Sequence, residues 1–432
     1  MEGSLLPTGQ WTMARRTWLL FTIVYFFLLV MDFTSSDELF PHFVYILLKP
    51  YTMFWNWLVP WTGQHILHLP APITIKPNGS GDTTYNYTLQ FLWLVIAFIV
   101  AVTWAILDRR RNSYTQLYYW ARIILRYYLA FILFVYGSVK VIKLQFPFPD
   151  LMRLTEPYGD SSPMGLAWTF IGYSKGYNLF TGGAEMLAGC FLFFKRTTLL
   201  GALLAITIMA NIAAINFAYD VPVKIFSVNL LLLAGWIAWY DIHRLLNLLV
   251  LNKPAPAAQL AMPLKTPWKK RVQFTVKLIV ILLTIYATLG QAIKGSNEYG
   301  DNSPKPALYG IYDARVFVRN NDTVPPLTTD SLRWKRMIIN YKGNVRISTM
   351  RDSTVWMALA IDTVKKTIRF TDFNDSTKIF AFRYSLPDKN HLQLTGSMNK
   401  DSILMNMEKY DVQRFRLVNR GFHWVNEYPY NR

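Results

Sequence analysis

Cysteine is nearly absent: Cys190 is the single one in 432 residues. An intrachain disulfide, a C-x-x-C redox pair and a cysteine-ligated iron–sulfur cluster are therefore excluded. Within its apolar run Cys190 reads as a buried, inert thiol. Charge is scarce as well, at 16% of residues against roughly 25% in an average soluble domain. Acidic residues are the rarer kind, 26 against 45 Lys and Arg, for a net charge of +19. There are six histidines. His42, His65 and His68 fall in one loop and His243 at the edge of an apolar run, so no pair is placed to hold a haem within the membrane. His65-Ile-Leu-His68 has the spacing of a metal pair but no Cys or carboxylate beside it, and no metal site is assigned. No Walker loop, G-x-S-x-G or H-E-x-x-H motif occurs.

What is plentiful is apolar surface. Hydrophobic residues make up 52% and aromatic ones 16%, and the mean hydropathy is +0.19, which fits membrane spans joined to an ordinary polar domain. A hydrocarbon core needs about 20 apolar residues in a helix. Seven stretches meet this, some with generous ends: 14–31, 89–107, 120–142, 176–194, 198–218, 223–241 and 272–292. The first lacks an A-x-A-like cleavage site after it and reads as a retained span. Basic clusters fall at alternate connections: Arg15 and Arg16; Arg109, Arg110 and Arg111; Lys195 and Arg196; and the run from His243 to Arg271. The connections 32–88, 143–175 and 219–222 are poor in Lys and Arg and carry Asp32, Asp37, Glu38, Asp150, Glu156 and Asp160. By the positive-inside rule the N-terminus is cytoplasmic and the C-terminus external, in the cell inner membrane. The same clustering beside apolar runs explains the positive charge without nucleic acid, and leaves the bilayer and other membrane or periplasmic proteins as the expected partners.

The first external loop holds Tyr51, Phe54, Trp55, Trp57 and Trp61, interrupted by Pro41, Pro50, Pro60 and Pro70. Such rings prefer the interface, which predicts interfacial or re-entrant helices there rather than an eighth span. A short helix is expected over Met164 to Tyr173. Residues 244–271, with Lys253-Pro-Ala-Pro-Ala-Ala, read as a cytoplasmic linker. Beyond residue 296 alternation replaces apolar runs. Strands are expected at 333–341, 344–350, 355–362, 367–371, 379–384, 391–395 and 402–407, separated by turns such as Lys342-Gly343-Asn344. About eight short, evenly spaced strands predict an antiparallel sandwich or a lipocalin-like barrel. Such a barrel either holds a small apolar ligand or is filled by its own side chains.

Ionisable groups inside a span are costly and point to function or to a partner. Glu185 is the sharpest, near the middle of the fourth span in Gly182-Gly-Ala-Glu-Met-Leu-Ala-Gly189, where small residues allow another helix close. Arg126 enters the third span; Lys140 and Lys143 lie at its outer end, within reach of the surface. Asn211, Asn216 and Asp220 follow the fifth span, and Asn229 lies in the sixth. Together these form either a proton or quinone pocket, with Glu185, Arg126 and Lys140 as the reactive candidates, or a structural polar network between helices. Glu156, Tyr158 and Asp160, in the turn-rich segment Glu156-Pro-Tyr-Gly-Asp-Ser-Ser-Pro163, face the same side as Lys140.

Arg126, Gly137 and Lys140 in Tyr136-Gly-Ser-Val-Lys140, with Gly182-Gly-Ala-Glu185 and Gly189, resemble the DoxX family of small membrane proteins over residues 120–243. The resemblance implies a four-helix core with Arg126, Lys140 and Glu185 at the family's polar positions. It also implies a link to quinone-coupled electron transfer or envelope redox systems, with a quinone as the cofactor to consider. The expected organisation is two spans and an aromatic loop over 1–119, the core at 120–243, the linker at 244–271, a seventh span at 272–295 and an external β domain at 296–432. The competing expectation is a non-enzymatic anchor whose β domain binds a lipid or a partner protein.

Overall fold

The computed structural model describes residues 11–32, 42–75, 78–111, 113–255, 266–375 and 377–431, with the backbone alone for 42–47. Asp37, Glu38, Pro41 and most of the Pro-Ala linker lie outside the described residues. The chain divides into two compact units: residues 1–142 with 176–293, and residues 143–175 with 294–432.

The first unit is helical. Its helices are α1 (Met13–Val30), α2 (His42–His65), α3 (Thr84–Leu107), α4 (Thr115–Val141), α7 (Lys175–Leu192), α8 (Thr198–Ala218), α9 (Lys224–Trp239), α10 (Ile242–Leu249) and most of α11 (Pro267–Glu298). Five of these, α1, α3, α4, α8 and α11, are long and apolar enough to cross a membrane, and α9 with α10 makes a sixth if the bent pair is one span. α7 does not pass on apolarity. The unit is a helical membrane part.

Contacts sort the helix ends into two sets. At one, Asp82 before α3 accepts hydrogen bonds from the Lys224 and Ile225 amides that open α9, at 2.7 and 3.0 Å. This satisfies amides that a helix start leaves bare. Ser138 near the end of α4 bonds Thr288 of α11 at 3.2 Å in the same set. At the other, Arg16 donates to the Arg109 carbonyl at 2.7 Å, Arg122 of α4 meets Asp241 at 3.2 Å, and the Lys277 ammonium lies 3.8 Å from the Phe194 ring centroid. The helices alternate in direction, and the basic clusters gather at this second set of ends.

α2 occupies the aromatic loop. Trp55 and Val59 are buried in the core, while Phe54, Trp57 and Trp61 are exposed, and Trp57, Trp61 and His65 stack successively along one side. The segment read as a linker from residue 244 begins instead within a helix: α10 is bent 79° from α9, with Leu246, Leu248 and Leu249 exposed. Cys190 also departs from expectation, since it lies on the exposed face of α7. The inner face of α7 is set by Gly182, Glu185 and Gly189, and Cys190, one position after Gly189, is turned about 100° away from it.

The second unit is an antiparallel barrel. After the turn following α11 come β1 (Gly310–Arg319), the two-residue β2 (Asp322–Thr323), β3 (Trp334–Ile339), β4 (Asn344–Thr349), β5 (Thr354–Asp362), β6 (Thr367–Asp372), β7 (Ile379–Ser385), β8 (His391–Met398) and β9 (Asp401–Lys409), then a helical turn, α12 (Arg416–Asn419). Each long strand pairs with the next, and β1 pairs with β9, closing an eight-stranded ring with β2 as a flap on β1. Seven of these strands match the alternation in the sequence. β1 was not expected there. It carries Asp313 and Arg315 and is broken by a bulge between Ala314 and Val316, which spoils the period of two. Arg333, 3% exposed, holds that bulge through the Ala314 and Arg315 carbonyls at 3.4 and 3.5 Å.

Met337, Ile339, Val345, Phe370, Leu394, Met405 and Met407, all fully buried, fill the barrel around an edge-to-face set of Trp334, Phe370 and Phe382. Between the two readings the sequence left open, a ligand chamber or a filled core, the packing favours the filled one. Tyr312 stands in this core, and burial pushes its phenol up to about 12, so it stays neutral at ordinary pH.

The remaining part of this unit comes from 143–175, which holds α5 (Leu151–Leu154) and α6 (Pro163–Tyr173). Tyr312, Met337 and Ile339 point inward, so Ile311 and Ile338 point out. Both are nonetheless fully buried, because Leu151 and Met152 cover them with Tyr410 and Phe415. Polar bonds frame the contact. Asp150 caps α5 through the Arg153 amide at 2.8 Å and accepts from Asn340 at 3.1 Å and Tyr341 at 2.6 Å. Arg346 donates to Thr155 at 2.6 Å. Burial and the bond to Asp150 raise the Tyr341 phenol well above its ordinary value.

Gly396 tests the barrel closure. A Cβ there would lie 2.2 Å from the Ala381 carbonyl oxygen and 2.8 Å from the Phe382 Cα. Gly396→Val is expected to destabilise the barrel by about 1–3 kcal/mol or more through backbone displacement, seen as a lower thermal midpoint in far-ultraviolet circular dichroism of the full-length protein. An unchanged midpoint would mean the strands are not spaced as described.

Candidate functional site

Glu185 is where the sequence pointed first, and glycines decide its surroundings. A Cβ on Gly182 would come 2.7 Å from the Gly137 carbonyl oxygen, and one on Gly137 would come 2.8 Å from the Gly182 carbonyl oxygen. With hydrogen at both positions α4 and α7 touch backbone to backbone, as helices do in a bilayer where small residues allow it. Gly189 continues the seam against Ala130 and Phe134, and Gly201 of α8 repeats it against Ala188 and Leu192.

That approach places Lys140 beside Glu185. The ammonium donates to Oε1 of the carboxylate, and the two side chains are 8% and 1% exposed. Lys140 therefore does not reach out to the surface as its place near the helix end suggested. The pair is closed by the chain itself, while Oε2 has no hydrogen-bond partner among the described residues. Arg126 does not join it. It lies fourteen positions before Lys140 on α4, about 21 Å along the axis, where its guanidinium donates to Thr198 at 2.9 Å and faces the Tyr127 ring at 5.2 Å. The three reactive candidates thus form one ion pair and one separate buried cation.

The asparagines also part company. Asn216 donates to Ser227 at 3.0 Å and links α8 to α9. Asp220 meets Lys224 at 2.8 Å. Asn229 belongs to a ring of hydrogen bonds with Tyr25 and Gln90. Asn211 is on the exposed face of α8 and enters none of these bonds among the described residues. Glu156 pairs with Arg153, whereas Tyr158 and Asp160 are exposed on a short helical turn and assemble nothing.

Known proteins add a family and no chemistry. No family model matches the chain, and no solved structure matches it. A stretch of 125 residues, 28% of the chain, is 36% identical to the uncharacterized protein YwoB of Bacillus subtilis (strain 168), of which it covers 78%. The chain belongs to the YwoB family. YwoB carries no described activity, so the relationship assigns none here.

Among the polar positions missing from the sequence reading are Asp241, Tyr25 and Gln90. Asp241, 4% exposed, receives Arg122 and Arg244 at 3.2 and 2.7 Å. Gln90 and Tyr25 complete the ring with Asn229. Gln90 is the only signal that could have been read, as a carboxamide within the strongly apolar second span.

The ion pair allows a direct test of structure against chemistry. Removing one partner strands a buried charge, so Lys140→Met is expected to destabilise the protein by about 3–5 kcal/mol, and the double change Lys140→Met with Glu185→Leu to restore most of that. Thermal unfolding in detergent measures both. A double variant as unstable as the single one would mean that Glu185 is held by something other than Lys140.

Proposed function

We propose that this is a DoxX-like multi-pass protein of the inner membrane, with seven spans, which carries its β barrel on the outer side as a surface for a partner protein. The observation that supports this reading is the make-up of the barrel unit. Residues 143–175 and 294–432 fold together, and a folded unit lies on one side of a membrane. The chain between them must cross an even number of times. Four helices, α7, α8, α9 and α11, meet that requirement, and it makes α7 a span although apolarity alone does not select it. The Lys140–Glu185 pair offsets part of the penalty that would otherwise keep α7 out of hydrocarbon. With the basic clusters gathered at the other ends, the barrel falls outside and the N-terminus inside.

The filled interior moves any recognition to the barrel's outer face. Trp356, Val364 and Phe373 are exposed there, as are Phe422, Trp424 and Tyr428 after the last strand. The chain passes between barrel and membrane part three times, near residues 142, 175 and 293, which suits an anchor. The redox-subunit reading leans on Glu185, and the carboxylate has its cationic partner within the chain.

In a Cys190→Ser background, single cysteines at Tyr158 and Val364 are expected to react with a membrane-impermeant maleimide in intact cells. A cysteine at Lys253 is expected to react only after lysis. Opposite labelling of positions 158 and 364 would break the seven-span layout. A purified protein that carries a stoichiometric quinone would overturn the anchor reading and restore the redox one.

A further inference from the structure

A cavity of about 990 Å³ opens within the helical unit among α1, α3, α8 and α9. This is at the upper end for small-molecule sites, which run to about 1,000 Å³. Its wall is mostly aromatic and aliphatic, and its polar groups are arranged by depth. Lys224 and Tyr87 stand at one rim, where α1 ends and α3 and α9 begin. Asn229 follows Lys224 by five positions, about 7.5 Å deeper, and Trp239 follows Asn229 by ten, about 15 Å further. Between those levels the lining includes Phe21, Phe26, Trp18, Leu232 and Trp236.

The middle level holds the ring described above. Gln90 Nε2 donates to the Tyr25 hydroxyl, which donates to Asn229 Oδ1, and Asn229 Nδ2 donates back to Gln90 Oε1 at 3.1 Å. A carboxamide nitrogen has two N–H groups, and the ring uses one of each. One N–H of each stays outside the ring, both residues line the cavity, and in hydrocarbon an unmet donor is unfavourable. They call for an acceptor brought by a ligand.

Lys224 brings a cation to the rim, and its carboxylate partners stand next to it, outside the lining. Lys224 lies 2.8 Å from Asp220 and 3.9 Å from Asp82, and the Asp220 side chain is 86% exposed. A cation beside a projecting carboxylate complements a head group that carries phosphate and ammonium together. An anionic head would set its surplus charge against Asp220 and Asp82. A plain hydrocarbon would leave the carboxamides unmet.

We propose that the cavity is a binding site for one zwitterionic glycerophospholipid of the phosphatidylethanolamine type. Its phosphate meets Lys224 and its ammonium meets Asp220. An ester carbonyl accepts from the spare N–H groups of Gln90 and Asn229, and an acyl chain runs down the aromatic wall toward Trp239.

Gly235 supplies the test. It lines the cavity, and a Cβ there meets nothing within 4 Å, so Gly235→Trp starts its bulk into the void from a Cβ that displaces no atom. Full-length protein is purified in mild detergent, washed repeatedly, and its retained lipid quantified by mass spectrometry. Wild type is expected to keep one zwitterionic phospholipid per chain. Gly235→Trp is expected to lose it by roughly tenfold, the equivalent of about 1.4 kcal/mol in affinity, at an unchanged melting temperature. In nanodiscs of phosphatidylethanolamine brominated on its acyl chains, tryptophan quenching should fall in the same variant. The double change Gln90→Leu with Asn229→Leu should weaken retention while leaving the cavity open. Equal retention by wild type and Gly235→Trp would overturn the proposal, as would an anionic phospholipid or a phosphate-free amphiphile as the retained molecule.

Discussion

A helix in hydrocarbon cannot borrow hydrogen bonds from solvent, so a polar side chain it buries is stabilised by a counterpart on its own helix, on another helix or in a ligand. In the helical unit this rule acts as a set of rivets. Lys140–Glu185 joins α4 to α7, Arg126–Thr198 joins α4 to α8, and Asn216–Ser227 joins α8 to α9. Arg122–Asp241 fixes the start of α4 against the end of α9, and Ser138–Thr288 fixes its far end against α11. Each pair is satisfied only in one arrangement of the helices. The glycines at 137, 182, 189 and 201 make that arrangement sterically available. Packing among apolar side chains could tolerate many registers; these bonds select one.

The barrel unit obeys a different rule. Its strands are held by burial, and the inward rows of Met, Ile, Leu and Phe leave an interior already occupied by side chains. What is unusual is the outer wall. Two isoleucines that face outward are covered by Leu151 and Met152 from a segment more than a hundred residues earlier in the chain, with Asp150 and Thr155 anchoring it to Asn340, Tyr341 and Arg346. The contact makes a membrane connection part of a soluble-type fold.

The sequence disclosed these features unevenly, for physical reasons. Long apolar runs and alternating strands are properties of consecutive residues, so the helical part and seven of eight long strands were legible. β1 was hidden by its bulge and by Asp313 and Arg315 within it. The candidate site was legible only as a list of polar residues. Nothing in the spacing tells that Glu185 takes Lys140, 45 positions away, while Arg126 takes Thr198. Asn211 turned out to face outward, because a helix as uniformly apolar as α8 carries no mark of its inner side. The docking of 143–175 rests on two apolar residues beside an aspartate, too short a pattern to stand out from any loop.

Closure of the barrel between its first and last strands has a consequence in time. Arg315 of β1 and Glu408 of β9, joined at 2.6 Å, are separated by 93 positions. The ring cannot shut during synthesis until β9 has emerged, and pairings this distant form slowly. The segment around Leu151 leaves the ribosome long before the surface it will cover exists. Assembly of this protein therefore runs backwards along the chain at its final step, with an early connection waiting for the last strand. That interval is when its uncovered apolar residues are open to chaperones and proteases.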